Sequence, residues 1–225
     1  MLKYVLFDLD GTLTESGPGI MNAAKIALNH FGIEENKVEN LHKFVGPPLT
    51  ESFGQRYGMN EADTQEAIAV FRKYYNITGI YENSVFEGIQ EMLQQLKRNG
   101  LLLSIASSKP RPMIDIVVDH FDIRKYFDVI VGCELDGTRS QKKEVVDEVI
   151  RLFGELSGDD AVLEHSIMVG DRMYDVNGAR ECGLECIGVT YGYGTRQELQ
   201  EAGAAYIVDS VNELGEKLLH LVQTR

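Results

Sequence analysis

The sequence predicts an α/β fold, a doubly wound (Rossmann-like) parallel sheet with an all-helical segment inserted after its first strand. Three observations predict it. Short runs that are apolar almost without a break recur along the chain, as strands buried on both faces require. Between them lie stretches with apolar residues three and four apart, the spacing of one helix face. One long stretch, residues 16–82, breaks the alternation and holds helical spacing with no convincing strand.

The first strand candidate is 4–9 (YVLFDL). A helix over 17–31 follows, with Ile20, Ala23, Ala24, Ala27, Leu28 and Phe31 on one face and Gly32 as its stop. Gly46-Pro47-Pro48 marks a turn, and Ile68, Phe71 and Tyr75 mark another helix. The alternation then resumes. Ile89, Met92, Leu93 and Leu96 form a helical stripe stopped by Gly100, before a strand at 101–107 (LLLSIAS). Ile114, Val117, Val118 and Phe121 form the next stripe, before a strand at 127–132 (FDVIVG). Val145, Val146, Val149, Ile150 and Phe153 form a third, and strands at 166–170 (SIMVG), 186–191 (CIGVTY) and 206–208 (YIV) complete the series. Strand–helix–strand repetition of this kind builds an open α/β sheet. The expected division is a core of 1–15 and 83–225 and a helical cap of 16–82.

Composition narrows the function. The chain has 225 residues, 44% of them hydrophobic, which is enough for a sizeable core. A net charge of −13 argues against a reader of nucleic-acid polymers, which needs a basic stripe. It leaves room for a small anionic substrate, since a few placed cations can overrule the global field. No apolar run approaches ~18 residues and no basic amphipathic stretch is present, so no membrane association is expected. Cys133, Cys182 and Cys186 are too few and too odd in number for a disulfide framework. They read as small buried hydrophobes in a reducing compartment. The chain enters a strand-like run at once, with no basic leader before it, so the expected location is cytoplasmic.

The chemistry gathers at predicted strand ends, where open α/β sheets bind ligands. Asp8-Leu9-Asp10-Gly11-Thr12 follows the first strand. Asp-Gly is also a common turn pair, so these residues alone weigh evenly between a turn and a site. Gly170-Asp171-Arg172-Met173-Tyr174-Asp175 decides the matter, because it puts two more carboxylates at the same edge. Each close pair of such carboxylates repels by up to ~4 kcal/mol at a moderate dielectric, so the cluster calls for a cation. Oxygen donors without a neighbouring His or Cys favour Mg²⁺ over zinc. Ser107-Ser108-Lys109 closes a third strand, where hydroxyls and backbone amides can hold phosphoryl oxygens. Lys142 and Lys143 open the helix after a fourth, and either could neutralise Asp8 and a phosphate. A single lysine is usually a solvated surface cation, but the combination argues that one of them faces the site. Arg172 weighs evenly between a structural and a substrate role. Lys43, Arg56, Arg72 and Lys73 read as solvated cations of the insert, one of which could face the cleft. The five histidines show no ligand spacing, and Tyr191 and Tyr193 read as packing residues.

In order, Asp8-Leu9-Asp10-Gly11-Thr12, Ser107, Lys142 and Gly170-Asp171…Asp175 resemble the four motifs of the haloacid dehalogenase superfamily. The resemblance spans the whole chain, and the helical insert looks like that superfamily's α-helical cap. Ser16-Gly17-Pro18-Gly19, Gly46-Pro47-Pro48-Leu49, Asp136-Gly137-Thr138-Arg139 and Tyr191-Gly192-Tyr193-Gly194 are similar to its phosphoglycolate-phosphatase-like branch, within it most of all to 5′-nucleotidase-like members. The resemblance implies that Asp8 attacks phosphorus and, with Asp171, Asp175 and the Asp10 carbonyl, holds Mg²⁺. It implies that Asp10 serves as general acid and then base, that Ser107, with Ser108 beside it, binds the phosphoryl group, and that Lys142 fixes Asp8. Lys143 stays open as the alternative. The implied substrate is a small phosphorylated metabolite, with oligomeric state open between monomer and dimer. A dehalogenase would need no Asp10. A sugar phosphomutase would keep every motif, and an inactive phosphate-binding module would have lost some.

Overall fold

Side-chain alternation along the first strand sets the layers. Strand β1 (Tyr4–Phe7) sends Val5 and Phe7 to one face of the sheet and Tyr4 and Leu6 to the other. The computed structural model describes residues 1–135 and 138–224. It holds five more strands: β2 (Leu102–Pro110), β3 (Val129–Cys133), β4 (Ser166–Gly170), β5 (Cys186–Val189) and β6 (Tyr206–Val208). All pair in parallel, in the order β3-β2-β1-β4-β5-β6.

On the first face Val5, Phe7, Leu103, Ile105, Ile167 and Val169 meet α4 (Ile89–Arg98), α5 (Arg111–His120) and α9 (Val211–Thr224) through Leu93, Val118 and Leu218. On the second, Leu6, Val131 and Met168 meet Val145, Val149 and Phe153 of α6 (Lys142–Ser157) and Val176 of α7 (Met173–Glu181). A shorter helix, α8 (Arg196–Ala202), joins β5 to β6. The chain steps outward one way from β1 through β2 to β3, and the other way from β4 to β6. The β1–β4 boundary is therefore a topological switch point, where a crevice opens beyond the strand ends.

The sequence places every strand, and the boundaries differ in ways that matter. β1 ends at Phe7 rather than residue 9. Asp8 still donates to Val169 O at 2.9 Å, but the Leu9 carbonyl then collects the amides of Thr12, Leu13 and Thr14 in a tight turn. β2 runs to Pro110, three residues past the expected end, with irregular pairing to β3 after Ala106. β3 starts at Val129 because Phe127 follows a 3₁₀ turn at Arg124–Tyr126.

Between β1 and α4 the structure contains α1 (Gly17–His30), α2 (Val38–His42), a π-helical turn (Glu51–Arg56), α3 (Glu61–Tyr75) and a 3₁₀ turn (Gly79–Tyr81). Among the described residues this segment adds no strand to the sheet. Small residues let its helices close: Ala23, Ala24 and Ala27 of α1 are fully buried, as is Ala67 of α3. The two connections to the sheet run side by side, with Glu15 N donating to Ser84 O (2.7 Å) and Phe86 N to Leu13 O (3.3 Å). α1 also presses on the 3₁₀ turn, where a Cβ at Gly19 would lie 1.8 Å from the Gly79 carbonyl oxygen. Gly19→Ala should therefore overpack the insert by about 1–3 kcal/mol and lower the thermal midpoint by several degrees. An unchanged melting curve would mean that these backbones are not in contact.

Candidate active site

The turn after β1 and the end of β4 bring the acidic motifs together. Phe7 pairs with Val169, so Asp8 and Asp171 leave neighbouring strands at nearly the same height. Gly11 makes this possible. Its φ is +85°, and a Cβ there would stand 2.3 Å from Asp171 Oδ2. Asp175 returns to the same point from the first turn of α7. Its Oδ2 accepts from the Arg172 backbone amide at 3.0 Å, satisfying a donor that the helix start leaves open. One carboxylate oxygen each from Asp8, Asp171 and Asp175 lies within 4.8 Å of the others, and all three residues are buried.

Lys142, the first residue of α6, reaches into this group. Its Nζ lies 2.7 Å from Asp8 Oδ1, 2.7 Å from Asp175 Oδ1 and 3.0 Å from the Ala106 carbonyl oxygen. The approach to Asp175 Oδ1 has the length of an ion pair without the angle of a hydrogen bond, so that oxygen keeps capacity for another partner. Lys143 points away, exposed, and pairs with Asp147. Of the two lysines left open by the sequence, Lys142 is the one at the carboxylates.

Electrostatics follows burial. Desolvation, reinforced by Asp175 and Asp10 and opposed by Lys142, pushes the Asp8 carboxyl up to about 6. Burial first, then the Asp175 and Asp8 charges, hold Asp171 well above the usual carboxylate range. Burial alone would pull Lys142 down, but Asp175 and Asp8 outweigh it and hold the ammonium above its ordinary value. With all groups ionised, three carboxylates face one ammonium. An all-oxygen donor set with that excess of negative charge fits a hard divalent cation. The remaining Asp171 contacts orient it for this: Oδ2 accepts from Tyr193 N at 2.7 Å, and Thr12 Oγ1 approaches Oδ1 at 3.5 Å.

Asp10 lies apart from the trio. Both its oxygens accept from Lys109 Nζ, at 3.0 and 2.9 Å. Ser107 is buried and accepts the Lys109 amide at 3.3 Å, and both Ser107 and Ser108 line the cavity. That cavity has a volume of about 440 Å³. Its floor holds Asp8, Asp10, Ser107 and Lys142, and its far wall is formed by Phe44, Leu49, Ile68, Phe71 and Tyr75 of the insert.

Sequence reasoning missed Lys109 and Tyr75. Lys109 stands two residues past Ser107 on β2, and strand alternation puts both side chains on one face, so the signal was present. Arg172 proves to be a clasp: Nε donates to Glu198 at 2.9 Å and Nη1 to the Val45 carbonyl of the insert. Among the insert cations named from sequence, Arg72 lines the cavity and Lys43, Arg56 and Lys73 do not. Tyr191 packs on Phe86 and donates to Thr12 O at 3.0 Å, and Tyr193 accepts from Gly17 N at 2.7 Å. Asp136 and Gly137 of the Asp136-Gly137-Thr138-Arg139 signature lie outside the described residues.

Paired carboxylates at a switch point, a lysine among them and a cavity roofed by inserted helices define a hydrolase of the phosphoryl-transfer class. The chain belongs to the haloacid dehalogenase-like hydrolase family, which it matches over residues 5–189, and it is a phosphoric monoester hydrolase. It is 42% identical to a 5′-nucleotidase of Pseudomonas aeruginosa over 88% of each chain. It is 35% identical to the tyrosine-protein kinase PtkA of Mycobacterium tuberculosis, covering 96% of this chain and 72% of that one. A crystal structure of a predicted phosphatase from Clostridium acetobutylicum superposes with a TM-score of 0.90 at 44% identity, over 98% of this chain and 99% of the other.

The raised Asp8 pKa has a stability consequence. In the metal-free protein the folded state keeps a proton on Asp8 up to about 6, whereas the unfolded chain releases it near 3.8. The folded state binds more protons across that window, so this contribution to stability falls as pH rises through it. Asp8→Asn removes the titration. In EDTA, the stability of the variant relative to wild type should climb between pH ~4 and ~6 and then level off. Urea unfolding at stepped pH reads this directly. A difference that stays flat would show that Asp8 titrates like an exposed carboxylate.

Proposed function

We propose that the protein is a magnesium-dependent phosphatase that moves the phosphoryl group of a small monoester onto Asp8 and then to water. The observation that carries this reading is the pairing of Asp8 with Lys142 inside a buried carboxylate cluster, with Asp10 close by at the cavity floor.

Each residue has a task that its surroundings support. Lys142 holds Asp8 Oδ1 and leaves Oδ2 to form the bond to phosphorus while the ester P–O bond breaks. Asp10 gives its proton to the departing oxygen, then takes one from the water that splits the acyl phosphate and restores Asp8. The Ser107 hydroxyl and nearby amides hold the transferring oxygens, with Ser108 beside them. Asp8, Asp171, Asp175 and the Asp10 carbonyl would hold Mg²⁺, which supplies neutralising charge for the phosphoryl oxygens when bound. Residues 16–82 act as the cap, and the paired connections near Ser16 and Asn83 act as its hinge. Cap closure would exclude water from the phosphoryl site.

A nucleoside 5′-monophosphate is the preferred substrate class. The far wall is largely apolar and aromatic, a surface for a flat base, with Arg72 as its cation. The 42% identity to a 5′-nucleotidase supports the same choice.

Three measurements test the proposal. Chelation with EDTA should abolish hydrolysis and Mg²⁺ restore it, with Ca²⁺ a poor substitute because it favours looser coordination. Activity that survives rigorous chelation would rule out the metal. Asp8→Asn should lose ~10³-fold or more in kcat and remain folded; near-normal turnover would rule out Asp8 as nucleophile. A panel of nucleoside monophosphates, 2-phosphoglycolate and a sugar phosphate should show highest kcat/KM for a nucleotide. Isomerised sugar phosphate among the products would instead indicate a mutase.

A further inference from the structure

A buried chain of three side chains crosses from the insert to the core. Lys109 at the end of β2 has three ammonium hydrogens. Two go to the two oxygens of Asp10, at 3.0 and 2.9 Å, and the third goes to Tyr75 Oη at 2.5 Å. Asp10, Lys109 and Tyr75 are each less than a tenth exposed. Tyr75 is the last residue of α3, and its ring stacks on Phe71 with centroids 5.4 Å apart. The Lys109 nitrogen also lies 4.9 Å from the centre of the Tyr75 ring. A hydroxyl from the insert thus completes the shell of the cation that grips Asp10.

Other bonds cross the same boundary. Arg172 holds Val45 O, Tyr174 donates to Glu51, and Gly17 N donates to Tyr193. None of them ends on Asp10. When the insert moves away from the core, Tyr75 leaves with it. A buried ammonium that loses one of three acceptors must find another or turn toward water. Water that takes the place of the Tyr75 hydroxyl, or an ammonium that turns toward solvent, loosens the fixed grip of Lys109 on the two oxygens of Asp10.

We infer that Tyr75 and Lys109 are positioning residues which tie the orientation of the Asp10 carboxyl to the closed placement of the insert. Asp10 is then aimed at the leaving oxygen only while Tyr75 is docked, so acid–base catalysis is withheld from the open cleft. Displacement of a reacting group by about 1 Å can cost ~10²-fold in rate, so a weak link of this kind has a large effect on turnover.

The inference rests on the acid–base role of Asp10 proposed above. The test uses the full chain with Mg²⁺ and compares wild type, Tyr75→Phe, Lys109→Met, the double variant and Asp10→Asn. Substrates are p-nitrophenyl phosphate, whose leaving group needs little protonation, and an alkyl phosphate ester, whose leaving group needs it. Tyr75→Phe keeps the ring and its stack. It should lower kcat for the alkyl ester by about 10-fold or more with KM little changed, and lower phosphoryl transfer from p-nitrophenyl phosphate, read in the pre-steady-state burst, much less. Because both residues act through one chain, the double variant should be no worse than Lys109→Met. Equal losses on both substrates, a rise in KM alone, multiplying losses or no loss would each overturn the inference. If Lys109→Met does not fold, the comparison of substrates with Tyr75→Phe decides alone. A fully active Asp10→Asn would defeat the acid–base reading itself. An impaired Asp10→Asn beside a normal Tyr75→Phe would defeat only the link through Lys109.

Discussion

Concentrated negative charge at the carboxyl ends of β1 and β4 is the constraint on which the rest of this structure depends. Asp8, Asp171 and Asp175 are buried within a few ångströms of one another, and Lys142 stands among them. Burying a charge without a partner is costly, and removing one member of a buried pair typically costs about 3–5 kcal/mol. The chain meets that cost with backbone. Asp8, Asp171 and Asp175 occupy strand or helix ends, where amides such as those of Tyr193 and Arg172 are open to donate. The same concentration of acid that strains the metal-free fold makes a receptive seat for a divalent cation, and a cation would reverse the direction of the pKa shifts.

Lys142 shows how tightly the layers are bound to this point. It begins α6, and its stem packs against Gly178 of α7, where a Cβ would come 2.6 Å from the Lys142 Cγ. A glycine in α7 thus lets two helices approach until a lysine from one reaches an aspartate from the other. The sheet contributes through Asp8 and the Ala106 carbonyl. Four elements converge on one ammonium, so the clustered carboxylates are fixed by the packing of the core and not by loop conformation. The insert makes fewer demands. Among the described residues it reaches core side chains around the site through Gly17, Val45, Glu51 and Tyr75, each by a hydrogen bond. Bonds of this number and kind can be broken and remade as a unit, as the proposed cap would require.

Much of this was legible in the sequence because buried parallel strands write a plain signal. The six apolar runs became the six strands, and the acidic motifs fell at their ends as expected. Errors were confined to ends, where local hydrogen bonding competes with sheet pairing. Leu9 reads as strand by hydropathy, yet its carbonyl serves the turn that places Asp10. Lys142 and Lys143 could not be separated by spacing, because both stand in the first turn of one helix. Only the position of α7 decides which faces Asp8. Arg172 was undecided for a similar reason, since its partners Val45 and Glu198 lie far away in the chain. Tyr75 read as one more apolar position of an α3 stripe with Ile68 and Phe71, and it is indeed buried there. Nothing in a helical period reveals that the hydroxyl at the tip of a core tyrosine meets a lysine from another layer.

The division of labour between the layers bears on how such a chain acquires a substrate. The floor of the cavity is built from residues at strand and helix ends whose positions are locked by a buried charge network. The far wall is built from Phe44, Leu49, Ile68 and Phe71, which pack among themselves in the insert and take no part in that network. Apolar side chains of this kind can be exchanged for others of similar volume at a cost of typically under ~1.5 kcal/mol. A change in the wall alters which leaving group fits without moving Asp8, Lys142 or Asp171. In the proposed reading the chemistry is tied to the fold, while selectivity is carried by a surface that the fold can tolerate changing. Tyr75 is the exception on that wall, because its hydroxyl reaches Lys109 and through it Asp10. If the inferred link holds, selectivity and chemistry share a residue at that one position, and the wall cannot vary there without consequence for the floor.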